Sequence, residues 1–165
     1  MKYWLGLGGN LGDTRSCFRK ALKLIEERNL GKIMRKSSLY LTEPVGIESR
    51  DWFLNAVVEI ESSLAPEAML GELQKIESEL GRQPGEKSRT LPRTIDLDIL
   101  MADAIIMARP ELVIPHLRMA ERRFVLEPLA ELAALALHPV LKKSMEQLLK
   151  ELTDNAKVKR LGEKL

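Results

Sequence analysis

The sequence has almost no cysteine. Cys17 stands alone among 165 residues, so no intrachain disulfide can form and a four-cysteine zinc site is excluded. Long apolar runs are missing as well. No stretch approaches the roughly 18 residues that a membrane-crossing helix needs, and the opening MKYWLGLGGNLGD has neither the apolar segment nor the cleavage site of a secretory leader. A cytoplasmic protein without membrane attachment is the expectation. Charge of one sign is not in excess either: 26 basic side chains face 24 acidic ones, for a net charge of +2. That balance gives no bulk attraction for nucleic acid, although basic residues gather between Arg82 and Arg93 and again between Arg118 and Arg123. What remains is an ordinary composition, 45% apolar and 30% charged, in a chain of single-domain length. One domain spanning 1–165 is expected.

Hydrophobic periodicity divides that domain. Lys2 to Gly8 alternates as a strand does, and Gly8-Gly9-Asn10 turns the chain. Helical spacing of Phe18, Ala21, Leu22 and Ile25 follows Asp13, a suitable N-cap, and stops at Asn29-Leu30-Gly31. Ile33 to Leu41 reads as one strand and Phe53 to Glu61 as another, with Leu54, Ala56, Val58 and Ile60 facing a core. A second helix opens on Pro66, buries Met69, Leu73, Ile76 and Leu80, and ends before Gly81. Beyond the polar loop Arg82–Pro92, Thr94 to Ala102 alternates again. The order βαββαβ is that of an α+β, ferredoxin-like (split βαβ) antiparallel sheet with helices packed on one face, its other face free for ligand. A C-terminal helical extension follows: a stretch through Phe124, Leu126, Leu129 and Leu132, broken or bent at Pro128, and a last helix from Leu141 to Leu152. The tail, 154–165, has few apolar residues and is expected to fray.

The sharpest chemical feature lies in PRTIDLDIL, Pro92 to Leu100. Strand alternation sends Asp96 and Asp98 to one face, about 6–7 Å apart and opposite Ile95, Leu97 and Ile99. At an effective dielectric near 20 two such charges repel by roughly 2–3 kcal/mol, so keeping both ionised calls for a cation. Magnesium suits: it takes a few carboxylate oxygens and leaves the rest of its shell to phosphates. A bare D-x-D is more often a solvated polar stripe, but here the preceding loop carries Arg82, Lys87, Arg89 and Arg93 and can fold positive charge over phosphates. Glu77 lies on or beside the buried stripe of the second helix, with Gln74 one turn earlier; a carboxylate there needs an arginine, a backbone donor or ligand hydroxyls. Phe53 and Asn55 share the face opposite Leu54 and Ala56, where an aromatic beside an amide suits a flat heterocycle. His116 follows Pro115 in a loop and can donate to phosphate, though a loop histidine is commonly plain polar surface.

Taken together, GGNLGD at 8–13, SLYLTEPVG at 38–46, FLNAVV at 53–58, QKIESELGR at 74–82, PRTIDLDIL at 92–100 and IPHLRMAERRFVLEPL at 114–129 resemble the 6-hydroxymethyl-7,8-dihydropterin pyrophosphokinase family of folate biosynthesis. The resemblance implies diphosphate transfer from ATP, the co-substrate, to the pterin hydroxyl, with AMP released. Asp96 and Asp98 would hold two magnesium ions, and Arg82, Arg93 and Arg122 would meet phosphates. Gln74, Glu77, Ile99 and His116 would line the ATP site. Asn10, Asn55 and the backbone around Thr42 and Val45 would serve the pterin, its ring between Phe53 and Phe124. Partners would be these two small molecules, with no nucleic acid or membrane, and the chain would act as a monomer.

Departures from the family pattern fall around the same site. Phe53 stands where tyrosine is frequent, Pro84 replaces a second loop arginine, and Thr90 or Leu91 replaces a tryptophan. Leu117 follows the histidine. None removes a metal ligand, and Arg89 is a candidate substitute for the lost loop cation. Another two-metal phosphoryl or nucleotidyl transferase on the same fold would share the aspartates but release a different nucleotide product. A regulatory or nucleic-acid-binding module would instead want a basic, aromatic sheet face, which Asp96 and Asp98 contradict.

Overall fold

The computed structural model describes residues 1–43, 52–82 and 93–165. Strand β1 (Lys2–Gly9) buries Tyr3, Leu5 and Leu7 on one side. Helix α1 (Thr14–Glu27) starts where the Asp13 carboxylate accepts the Ser16 N–H at 3.0 Å, satisfying one of the donors left over in a first turn. The expected single strand from Ile33 to Leu41 is two, β2 (Lys32–Lys36) and β3 (Ser38–Thr42). Ser37 makes the break. Fully buried, it donates its N–H to the Val57 carbonyl at 2.9 Å and accepts the Val57 N–H on Oγ at 2.9 Å. Both short strands therefore pair with one edge of β4 (Phe53–Glu61), β2 along Val58–Glu61 and β3 along Phe53–Asn55.

Helix α2 (Pro66–Glu79) opens on its proline, and β5 (Asp96–Ala102) begins two residues later than the alternation suggests. Small strands β6 (Met107–Ala108) and β7 (Val113–Ile114) form a separate hairpin. Helices α3 (Arg123–Ala133) and α4 (Met145–Glu151) complete the extension. Pro128 neither breaks nor ends α3: Val125, Leu126, Leu129 and Leu132 are buried on both sides of it, and that packing outweighs one lost backbone hydrogen bond. The last helix is shorter than 141–152 because it starts at a capping box, the Ser144 Oγ accepting the Gln147 N–H and the Gln147 side chain accepting the Ser144 N–H.

Nor does the tail fray. It carries β8 (Val158–Lys164), antiparallel to β3 with Val158 opposite Thr42 and Arg160 opposite Tyr40. Of its few apolar residues, Leu161 and Leu165 pack against the core, and polar anchors add to them: Arg160 donates to Glu131 of α3 at 2.9 Å and to the Ser38 Oγ at 3.1 Å. The main sheet runs β5-β1-β4-β3-β8, with β2 also on β4, and its first part has the expected ferredoxin-like connectivity.

Helices α1 and α2 cover one face, where Tyr3, Leu5, Phe18, Ile25, Leu73 and Ile76 are wholly buried. The other face is not left entirely free, as the sequence suggested. Leu126 and Leu129 of α3 and Met145 of α4 pack on Trp4, Val57 and Leu100. Burial of that far end leaves the near end, at Gly6, Gly8, Asn55, Asp96 and Asp98, as the sheet surface on which a ligand can rest.

Candidate active site

Asp96 is held between two arginines. Arg82 Nη1 lies 2.7 Å from Asp96 Oδ1 and Arg93 Nη1 lies 2.6 Å from Oδ2. Arg82 follows α2, its N–H bonded to the Glu77 carbonyl at 3.0 Å. Arg93 precedes β5 and is pinned by the β1–α1 turn: its N–H donates to Asn10 Oδ1 at 3.0 Å, and its carbonyl accepts from Asn10 N at 3.0 Å and Leu11 N at 3.2 Å. Gly9 allows this approach, since a Cβ there would stand 2.6 Å from the Thr94 carbonyl oxygen. Asn10, read from the sequence as a substrate residue, is therefore bonded to the backbone of an arginine beside the acidic pair.

Glu77 meets two of the three kinds of partner that would satisfy it there, a backbone donor and an arginine. Its Oε1 accepts the Leu97 N–H at 2.6 Å and contacts Arg82 Nη1 at 2.5 Å. The first bond follows from topology, because β5 is an edge strand and the outward N–H of Leu97 lacks a neighbouring strand. Burial pushes the Glu77 carboxyl up to about 7, against the Leu97 N–H and Arg82, which lower it. Burial also works against the Arg82 charge, but Asp96 and Glu77 outweigh it and hold the guanidinium above its ordinary value.

Asp98 differs from Asp96. Among the described residues no donor is hydrogen-bonded to its carboxylate; burial first and the Asp96 charge second push it up to about 6, while Arg122, Arg82 and Arg93 pull it down. A carboxylate so placed favours added positive charge. Among the described residues no three His, Cys, Asp or Glu side chains gather to hold a metal, so from these residues a cation here would draw on the two carboxylates and fill its shell elsewhere. That donor set fits magnesium, which keeps water and substrate phosphate ligands, and does not fit a structural zinc.

Register places the amide end of the site. Gly8 of β1 pairs with Asp96 on one side and with Asn55 on the other, so carboxylate and amide sit level across two strand spacings, about 10 Å. Asn55 Nδ2 donates to Thr42 Oγ1 at 2.8 Å, and a Cβ on Gly8 would lie 3.2 Å from Asn55 Oδ1. Glycine thus keeps a shallow trough open between the two groups. Phe53 lies half-buried opposite Thr42. Across the face, the Arg122 guanidinium sits 5.6 Å from the Phe124 ring.

Other expected residues have settings of their own. Ile99 points into the core at 3% exposure, so its side chain cannot line an ATP site on the opposite face. Gln74 is exposed on α2. His116 donates its N–H to the Leu100 carbonyl at 2.9 Å and accepts the Arg118 N–H on Nδ1 at 3.3 Å. Val45 and the loop residues Pro84, Lys87, Arg89, Thr90 and Leu91 lie outside the described residues. Sequence reasoning missed Gly8 and Glu131. The Glu131 carboxylate accepts from Ser38 N at 3.0 Å and Tyr40 OH at 2.8 Å, and its only signal was an acidic side chain between the buried Leu129 and Leu132 of α3.

An aspartate held between two guanidinium groups, with a second carboxylate beside it on the open end of an antiparallel sheet, marks a class of α+β proteins whose charge pattern suits a cation and phosphates. Comparison narrows the class: the family model described as 7,8-dihydro-6-hydroxymethylpterin-pyrophosphokinase matches residues 4–134. The chain belongs to this family. It is 43% identical over 129 residues to the 2-amino-4-hydroxy-6-hydroxymethyldihydropteridine pyrophosphokinase of Bacillus subtilis, covering 78% of this chain and 76% of that protein. Its Porphyromonas gingivalis counterpart is 43% identical over 138 residues, 82% of this chain and 92% of that one. A folate synthesis bifunctional protein of Arabidopsis thaliana is 40% identical over 128 residues, 78% of this chain but 26% of its own length. Among solved structures, Plasmodium falciparum HPPK-DHPS with STZ-DHP aligns with a TM-score of 0.72 at 17% identity, over 91% of this chain and 43% of that longer one. The likeness to that structure is one of fold.

Proposed function

We infer that the chain transfers diphosphate from ATP to the hydroxyl of 6-hydroxymethyl-7,8-dihydropterin, a step of folate biosynthesis. The observation that carries the reading is the level placement, across Gly8, of an arginine-flanked aspartate and a fixed amide. In the reaction the pterin hydroxyl oxygen bonds to the β-phosphorus while the bond from that phosphorus to the α–β bridging oxygen breaks. AMP leaves with the bridging oxygen, and the hydroxyl proton is lost.

Asp96 and Asp98 would hold the two magnesium ions, whose charge, when bound, offsets that of the triphosphate. Arg82 and Arg93, already at Asp96, turn part of their donor set to phosphate oxygens. Arg122 adds charge from the α3 side. Asn55 is oriented by its bond to Thr42, which leaves its Oδ1 as acceptor for the amino edge of the pterin. The ring rests against Phe53 and Phe124. Catalysis is then mostly positioning and charge neutralisation. Glu77 supports this arrangement from beneath through Arg82, and a ribose contact would use its second oxygen. Action as a monomer belongs to the same reading. A lone cysteine suits the cytoplasm.

The test is product analysis with ATP, magnesium and the hydroxymethyl dihydropterin. AMP and the pterin diphosphate are expected, abolished by a chelator. ADP or pyrophosphate as the main product would refute pyrophosphoryl transfer and favour another phosphoryl or nucleotidyl transfer.

A further inference from the structure

The family match ends at residue 134, yet residues beyond it touch both flanks of the site. Asp154 lies at the start of α3: its Oδ2 accepts the Arg123 N–H at 2.9 Å, its Oδ1 accepts the Ala156 N–H at 2.9 Å, and its carbonyl accepts from Arg123 Nε at 3.0 Å. Arg123 stands between Arg122 and Phe124, the two residues that α3 brings to the site. Three residues after Asp154 the chain reaches β3. Glu43 N donates to the Lys157 carbonyl at 3.1 Å, Lys157 N donates to Glu43 Oε1 at 2.9 Å, and Val158 pairs with Thr42, the residue that fixes Asn55. Arg160 then ties β8 back to Glu131 on α3.

We propose that the segment from Asp154 to Arg160 is a strap that sets the spacing between the α3 flank of the site and its β3 flank, with Asp154 and Glu43 as positioning residues. Neither need touch substrate. Glu131 bonds Ser38 and Tyr40 of β3 from farther along α3, whereas this segment joins the first turn of α3 to the end of β3 through few residues, and its links at Arg123 and Glu43 each have a backbone group as donor or acceptor. Such bonds fix where the backbone lies, and Arg122, Phe124 and Thr42 take their positions from it. The proposal rests on the pyrophosphokinase reading for what the flanks bind.

Full-length Asp154→Ala, Asp154→Asn and Glu43→Ala proteins test it, with steady-state kinetics and melting temperature measured on the same samples. Removing the Asp154 bonds is expected to raise KM for both substrates about fivefold, the equivalent of a lost helix cap, with kcat nearly unchanged. Asparagine keeps one acceptor oxygen and should recover part of the loss. Glu43→Ala should raise KM for the pterin alone. A fall in melting temperature with every KM unchanged would make the segment merely structural and overturn the proposal, as would no change in either. If Asp154→Ala does not fold, Glu43→Ala decides by the same KM criterion. If the unaltered chain makes no AMP, the functional reading fails instead. The strap is then judged by hydrogen–deuterium exchange, in which Asp154→Ala must speed exchange at Arg123 and at Thr42–Glu43 together; faster exchange at Arg123 alone overturns it.

Discussion

Replacing Glu77 separates the two things its carboxylate does, accepting the Leu97 N–H and carrying charge beside Arg82. Glutamine keeps the acceptor and removes the charge; alanine removes both. A buried donor left without a partner costs about 1–3 kcal/mol, so Glu77→Ala should destabilise by about 2–3 kcal/mol and lower the melting temperature by roughly 4–12 °C in a chain of this size. The charge works in the other direction. Burial raises the folded-state Glu77 from 4.5 to about 7, which at about 1.4 kcal/mol per pH unit is worth at most about 3 kcal/mol. Between those two values the folded protein binds more protons than the unfolded chain, so stability declines as pH rises and the loss is complete above about 7. Glutamine does not titrate. Denaturant unfolding from pH 4.5 to 8 should therefore show the unaltered protein gaining on Glu77→Gln as pH falls, with Glu77→Gln equal or more stable at pH 8. If Glu77→Gln and Glu77→Ala lose the same stability at pH 8, the charge matters more than the acceptor and the reasoning is wrong.

Asp98→Asn should keep the fold, lower AMP formation by about a thousandfold, and raise metal-free stability above pH 6. The sign follows because Asp98 is pushed up to about 6, so its ionisation there disfavours the folded state. An AMP assay checks the activity and melting curves with and without magnesium and ATP check the stability, where magnesium should stabilise the unaltered protein more than the variant. Gly8→Ala puts a Cβ 3.2 Å from Asn55 Oδ1; displacing that amide should raise KM for the pterin by about fivefold, near 1 kcal/mol, with little change in KM for ATP, as separate titrations of the two substrates would show.

Much of this architecture is legible in the residues because it depends on local pattern. The alternation of Tyr3, Leu5 and Leu7, the helical stripe of Phe18, Leu22 and Ile25, and the pairing of Asp96 with Asp98 on one face all follow from strand and helix periods. Glu77 announces itself as a carboxylate on an apolar stripe. Its partner Leu97 N–H does not, because that donor is unpaired only once the topology has put β5 at an edge. Ser37 is hidden for a similar reason: a serine inside a β-compatible run reads as a polar face until both of its bonds to Val57 are known. The tail misleads most. Polarity suggested fraying, but Arg160 meets Glu131 and Asp154 meets Arg123 across long separations, and no local pattern reports such pairs.

The position of β8 has a further consequence. An outermost strand offers a row of unsatisfied amides and carbonyls to any extended chain that drifts past. Here that rim bears exposed Lys157, Lys159, Arg160 and Lys164, while at the opposite rim Glu77 covers Leu97. A second molecule approaching β8 rim to rim would bring like charges together, so this polar tail also discourages the sheet from growing into a filament.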